Sequence, residues 1–183
     1  MPLPEPVKRQ QMHTRTIEMR GYSREDGFFD IDGRLTDIKT EEFVTESSRV
    51  VPAGEPLHDM WIRLVIDKDL QVHDVVAVTD AGPHPVCPEA TAYLERLKGL
   101  RMWGGWRAAI GERLAGKEGC AHLKELLNVM ASAAYQSLTV LRKNNPAPVG
   151  NERPKKLDSC LAYSTRGPLV MKKWPQFFTG ESG

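Results

Sequence analysis

The stretch His58-Asp59-Met60-Trp61-Ile62-Arg63-Leu64-Val65-Ile66-Asp67-Lys68-Asp69-Leu70, continuing as QVHDVVAV to Val78, decides the fold. Met60, Ile62, Leu64 and Ile66 alternate with Trp61, Arg63 and Val65, which is the two-residue period of a half-buried strand. Asp67-Lys68-Asp69 then turns the chain into a second apolar run over 70–78, so the pair is expected to form a β-hairpin. His58 shares the parity of Met60 and Ile62 and is expected on the core face. His73 falls with Gln71 and Thr79, nearer solvent.

Upstream, Pro2, Pro4 and Pro6 make residues 1–11 an extended arm. From His13 to Arg24, Arg15, Ile17 and Met19 take one parity and Thr14, Thr16 and Glu18 the other, again as in a strand. SREDG (23–27) has turn chemistry. Residues 28–39 read as a second extended segment with a bend at Asp32-Gly33, and 45–56 read as a loop. Downstream the period changes. Residues 88–97 predict a short helix with Pro88 in its first turn, where a missing N–H costs little. Residues 103–114 predict a second helix. After Gly119, the stripe Leu123, Leu126, Leu127, Met130, Ala133, Ala134, Leu138 and Leu141 predicts a long one, ending at Asn144-Asn145-Pro146.

Strands first and helices after make the fold α+β, with antiparallel hairpins or a meander in the N-terminal half packed against C-terminal helices. The expected division is an arm over 1–11, one α+β domain over 12–143 and an irregular Pro-rich tail over 144–183. In that tail Trp174, Phe177 and Phe178 are expected to pack on their own domain or on a second subunit, making a homo-oligomer.

The 183 residues carry 25 basic and 24 acidic side chains, a net charge of +1, which argues against a nucleic-acid partner that would need many phosphates neutralised. No apolar run approaches the roughly 20 residues that span a bilayer, and MPLPEPVKRQ lacks the apolar core of a signal peptide. Three Cys make an odd number, so a disulfide framework is not expected and a reducing, cytoplasmic setting is. Gly104-Gly105 lacks the spacing of a dinucleotide loop, and no GxSxG occurs.

Three short segments concentrate reactive side chains: Leu57-His58-Asp59-Met60, His84-Pro85-Val86-Cys87-Pro88, and Gly119-Cys120-Ala121-His122 with Glu125 one turn on. A Cys at a helix N-terminus has its thiolate stabilised by the helix dipole and free N–H groups. Cys120 and His122 can face one site only if Cys120 precedes the first helical turn, because residues two apart in a helix diverge by about 200°. Glu125 is expected to orient the imidazole or to act beside it as a base. His58, Cys87, Cys120 and His122 form a donor set that zinc selects, although no CxxC or HExxH spacing is present. Against these stand plainer readings: a buried Cys is commonly inert, and a His at a strand start is often structural. Asp26, Asp30, Asp32 and Asp37 read as a solvated, salt-bridged hairpin rather than a cation loop. Cys160, His73 and His84 take no role, and His13 stays undecided.

The string HTRTIEMRGYSREDGFFDIDGRLTDIK, with LHDMWIRLVID, GLRMWGGW and GCAHLKELL following in order, resembles an uncharacterised bacterial family over roughly residues 12 to 140. That family is associated with bacteria that degrade aromatic compounds. Residues 57 to 135 are also similar in layout to the U-type iron–sulfur scaffold proteins. There a Cys opens the first hairpin strand, a second Cys follows the hairpin and a His/Cys cluster begins a long helix. His58, Cys87 and Cys120 with His122 fall at those places, which implies that the three segments converge. The first Cys of the scaffold is replaced by His, and its small-residue helix is missing.

Together these lead to an expected small enzyme, a cofactor-independent lyase-type acid/base catalyst on an aromatic catabolite. Its catalytic residues would be His58, Asp59, Cys120, His122 and Glu125. Its small-molecule substrate would sit between sheet and long helix against Trp61, Met102, Trp103 or Trp106. The alternatives are a protein that holds a single zinc or iron ion, or an iron–sulfur-scaffold-like protein, without turnover. A third is an interaction module that oligomerises through the tail.

Overall fold

The computed structural model describes residues 3–139, 141, 153–154 and 156–180. The chain divides into two compact units, Met1–Leu141 and Arg142–Gly183. The first is α+β. Strands β1 (His13–Ser23), β2 (Phe29–Lys39), β5 (Pro56–Ile66) and β6 (Val72–Ala81) form one antiparallel sheet in the order β1-β2-β5-β6. A two-stranded ribbon, β3 (Phe43–Val44) with β4 (Val50–Val51), occupies part of the segment expected as a loop.

The predicted hairpin is β5–β6. Its turn is held by the Asp67 carboxylate, which accepts the backbone N–H groups of Asp69 and Gln71. Alternation along β2 and β5 sends Ile31, Leu35, Met60, Ile62, Leu64 and Ile66 to one face, where all are buried. Helix α2 (Ala121–Ser137) covers that face, and α1 (Trp106–Arg113) packs against α2. Leu123, Leu126, Leu127, Met130 and Ala134 of α2 form its buried stripe.

Asp32-Gly33 does not bend the chain; β2 runs straight through it. Gly33 is there for closeness, since a Cβ on it would stand 3.2 Å from Leu126 Cδ1 and from Met130 Sδ. Leu126 is fully buried over this gap. Leu126→Ala is therefore expected to lower stability by about 3 kcal/mol in urea denaturation. A loss below about 1 kcal/mol would mean that α2 does not pack on β2 as described.

The segment Cys87–Leu97 is a run of 3-10 turns rather than an α-helix, and it buries Leu94 and Leu97, three residues apart, as three residues per turn requires. Helix α1 begins three residues later than expected. Gly105 has φ 92°, which a helix cannot contain, so Trp103 and Gly104 stay outside it. The expected stop of α2 at Asn144-Asn145-Pro146 lies outside the described residues. Among the described residues no helix is long and apolar enough to cross a membrane.

In the second unit, a short helix Pro168–Lys173 buries Val170. The Trp174 ring lies 6.3 Å from that of Tyr163, with Lys156 Nζ 4.8 Å from the Trp174 centroid. Trp174 thus packs within its own unit, on Tyr163.

Candidate functional site

Strand register assembles the first half of the site. Arg15 of β1 stands opposite Asp37 of β2, and Asp37 stands opposite His58 of β5. All three project from the helix-facing side, at the end of the apolar stripe. Asp37 is only 2% exposed. Arg15 grips it with two bonds, Nε to Oδ1 at 2.8 Å and Nη2 to Oδ2 at 2.7 Å, and His13 Nε2 donates to Oδ1 at 2.8 Å. Burial alone would raise the Asp37 carboxyl. The hydrogen bonds from Arg15 and His13 overcome that and hold its pKa down to about 2, so the group is ionised throughout the neutral range.

Across the sheet, His58 is buried at 7% exposure with Nδ1 2.9 Å from Asp37 Oδ2. Close as it is, this contact is misaligned, and Nδ1 has no hydrogen-bond partner of proper geometry. Burial and the neighbouring His122 imidazole lower the His58 pKa, and Asp37 only partly counters them.

The second half comes from the start of α2. Cys120 is extended (φ −107°, ψ 132°) and caps the helix, so it precedes the first turn, the arrangement that lets it share a site with His122. Gly119 permits the approach: a Cβ there would stand 2.2 Å from the Leu114 carbonyl oxygen. The His122 ring stacks on His58 with centroids 3.8 Å apart and planes tilted by 34°. Its Nε2 lies 4.0 Å from Asp37 Oδ2, and its Nδ1 lies 3.9 Å from Cys120 Sγ. Thiol, imidazole and carboxylate therefore form a line. Burial pushes the Cys120 thiol up, but the His122 contact and the backbone N–H groups of Leu123 and His122 bring it below the usual thiol value.

The remaining expected residues are distributed differently. Among the described residues the Glu125 carboxylate bonds Arg15 rather than an imidazole, accepting from Nη1 at 2.5 Å, and ties α2 to β1. Asp59 follows His58 in sequence, but the pleat sends it to the opposite face. There Arg34 binds it through two bonds of 2.9 and 2.7 Å and stacks over Trp61, 4.6 Å from the ring centroid. Trp61 lines a depression of about 150 Å³ on that open face, with Asp32, Arg63, Val76 and Val78. Between sheet and long helix, the expected lining residues Met102 and Trp106 belong to the buried core. The Trp106 indole donates to the Leu127 carbonyl at 2.9 Å. Trp103 stands half exposed, 5.7 Å from Tyr135.

Among the described residues, Asp37, His58 and His122 each offer one ligand atom, all within 4.8 Å of one another. Neither Cys87 nor Cys120 joins that trio. Cys87 packs instead against Gly82, where a Cβ would come within 3.1 Å of its Sγ. Two of the three reactive segments meet, without the third.

The sequence reading took Asp37 as solvated, left His13 undecided and gave Arg15 no role, whereas Asp37 is buried between the other two. The signal was available in parity: Asp37 falls with Ile31 and Leu35 on the buried face, and Arg15 falls with Ile17 and Met19. A charged residue in an apolar row needs a partner.

No curated protein and no solved structure matches the chain. The model of one protein family matches residues 13–136, from His13 to Gln136, and so takes in every member of the cluster. The chain belongs to that family, described as Protein of unknown function (DUF2889).

Proposed function

We propose that this protein is a small enzyme that moves a proton with the imidazole pair His58 and His122. The observation that carries the reading is the stacking of the two rings at 3.8 Å over a buried, ionised Asp37. His122 is the more exposed ring and is the group that meets the substrate. Behind it, burial holds His58 toward its neutral form, and Asp37 would stabilise the charge that proton uptake creates. Cys120, with its lowered thiol pKa, stands at the other edge of His122 as a second proton donor or acceptor. Glu125 and His13 hold the frame through Arg15 and Asp37.

The reaction class proposed is a lyase-type step in which His122 removes the proton of a hydroxyl on an aromatic catabolite. The oxygen becomes a carbonyl as the C–C bond at its carbon breaks, and the departing carbon takes the electron pair and is protonated by the imidazolium. Acid/base groups at the cluster support the proton step. The aromatic substrate rests on the association of the resembling family with aromatic degradation. A cytoplasmic setting is proposed with it, supported by three thiols of which none is in a disulfide. The oligomeric reading draws on the tail aromatics.

The test is turnover, followed by NMR, of a panel of hydroxylated aromatic compounds with wild type, His58→Ala and His122→Ala. The variants are expected to lose at least about 100-fold in rate while keeping the wild-type circular dichroism spectrum. Undiminished turnover in both variants would overturn the site assignment.

A further inference from the structure

We infer that Asp37, His58 and His122 are a binding site for one divalent transition-metal ion of the zinc class. The three candidate ligand atoms lie within 4.8 Å of one another. His58 Nδ1 and His122 Nε2 lie 2.9 and 4.0 Å from Asp37 Oδ2, separations that one ion bonded at roughly 2.0–2.2 Å to N and O donors can bridge.

The stronger argument is the state of His58. Its ring is more than nine-tenths buried with Nδ1 2.9 Å from the carboxylate, yet Nδ1 makes no aligned hydrogen bond. A bare Nδ1 lone pair facing a carboxylate oxygen at 2.9 Å is repulsive, and a proton on Nδ1 would point off the line. A cation displaced toward His122 Nε2 relieves both faults and satisfies the buried nitrogen.

The surroundings of Asp37 suit this role. Oδ1 is taken by His13 and Arg15, and Oδ2 accepts Arg15 Nη2, which leaves Oδ2 one further lone pair on the His58 side. These bonds orient the carboxylate, as partners of metal ligands commonly do. They also choose the ion. The Arg15 charge weakens the attraction of Asp37 for a cation, so affinity must come from the two imidazoles, which favours zinc, cobalt or nickel over calcium or magnesium. Three protein ligands leave a fourth position open on the exposed side of His122, where a bound ion would add Lewis acidity. The inference rests on the same cluster as the proton-transfer reading but competes with its chemistry, since a nitrogen bound to an ion cannot also take a proton, so ion binding and turnover fail separately.

The test uses full-length protein without a polyhistidine tag, stripped with chelator and titrated with Co²⁺ by calorimetry and visible absorption. The expected result is one ion per chain with the weak visible bands of nitrogen and oxygen ligands. His122→Ala, and independently His58→Asn, should weaken binding at least about tenfold with the circular dichroism spectrum kept. Cys87→Ser should bind as wild type does. Fewer than about one ion per ten chains would overturn the site. So would affinity unchanged in both histidine variants, or an intense thiolate-to-cobalt band, which would move the ion to the cysteines.

Discussion

Asp37→Ala is expected to cost about 3–5 kcal/mol of stability, the range for removing one partner of a buried ion pair. The carboxylate is 2% exposed, accepts two bonds from Arg15 and one from His13, and lies 2.9 Å from His58 Nδ1. Without it the Arg15 guanidinium keeps only Glu125, and a buried polar cavity opens between three strands. Asp37→Asn isolates the charge. The folded pKa is held at about 2, below the unfolded value of about 3.9, so the contribution is fully present above that unfolded value and is lost as pH falls through about 2. Its size is on the order of 2–3 kcal/mol. Urea denaturation between pH 7 and pH 2 should show this acid-sensitive limb in the wild type and a shallower one in Asp37→Asn. Equal stability at pH 7 would contradict the account of Asp37.

A single methyl group at Gly119 should do comparable damage for a different reason. The backbone there is extended (φ −146°, ψ 154°), so any residue could adopt it. The obstacle is space: an added Cβ would stand 2.2 Å from the Leu114 carbonyl oxygen and 3.1 Å from its carbon, both backbone atoms. The chain leading into α2 must move, and Cys120 and His122 move with it. Gly119→Ala is expected to lose about 2–3 kcal/mol, as overpacking does, and to part His122 from His58. Gly111 is the control. It lies within α1 with nothing inside 4 Å of its added Cβ, so Gly111→Ala should stabilise by up to about 1 kcal/mol. Similar stabilities for the two variants would mean that the α2 entry is not tightly held.

Much of the frame was legible in the sequence because periodicity reports directly on burial. The alternation around Met60 and Ile62 located the central hairpin and turned His58 inward. Gly119 marked the point where Cys120 could leave the helix and still face His122. The candidate site was legible in half. Grouping Asp37 with Asp26, Asp30 and Asp32 by proximity hid the pleat. Asp26 and Asp30 pair with Arg24, and Asp32 pairs with Arg63, while Asp37 faces the helix. The same pleat parts Asp59 from His58. The burial of Trp106 was not legible, because composition does not say which side of a helix meets the core. Its indole partner, the Leu127 carbonyl, exists only once α1 and α2 have packed.

The central claim is that His58 and His122 share one site over Asp37. It is tested most directly by a histidine-resolved NMR pH titration of chelator-treated protein, comparing wild type with His122→Ala. The account predicts that His58 titrates below the ordinary histidine value of about 6.5 and that its midpoint rises in His122→Ala, where both a neighbouring charge and part of its cover are gone. A His58 midpoint at or above that ordinary value, unmoved by loss of His122, would contradict it.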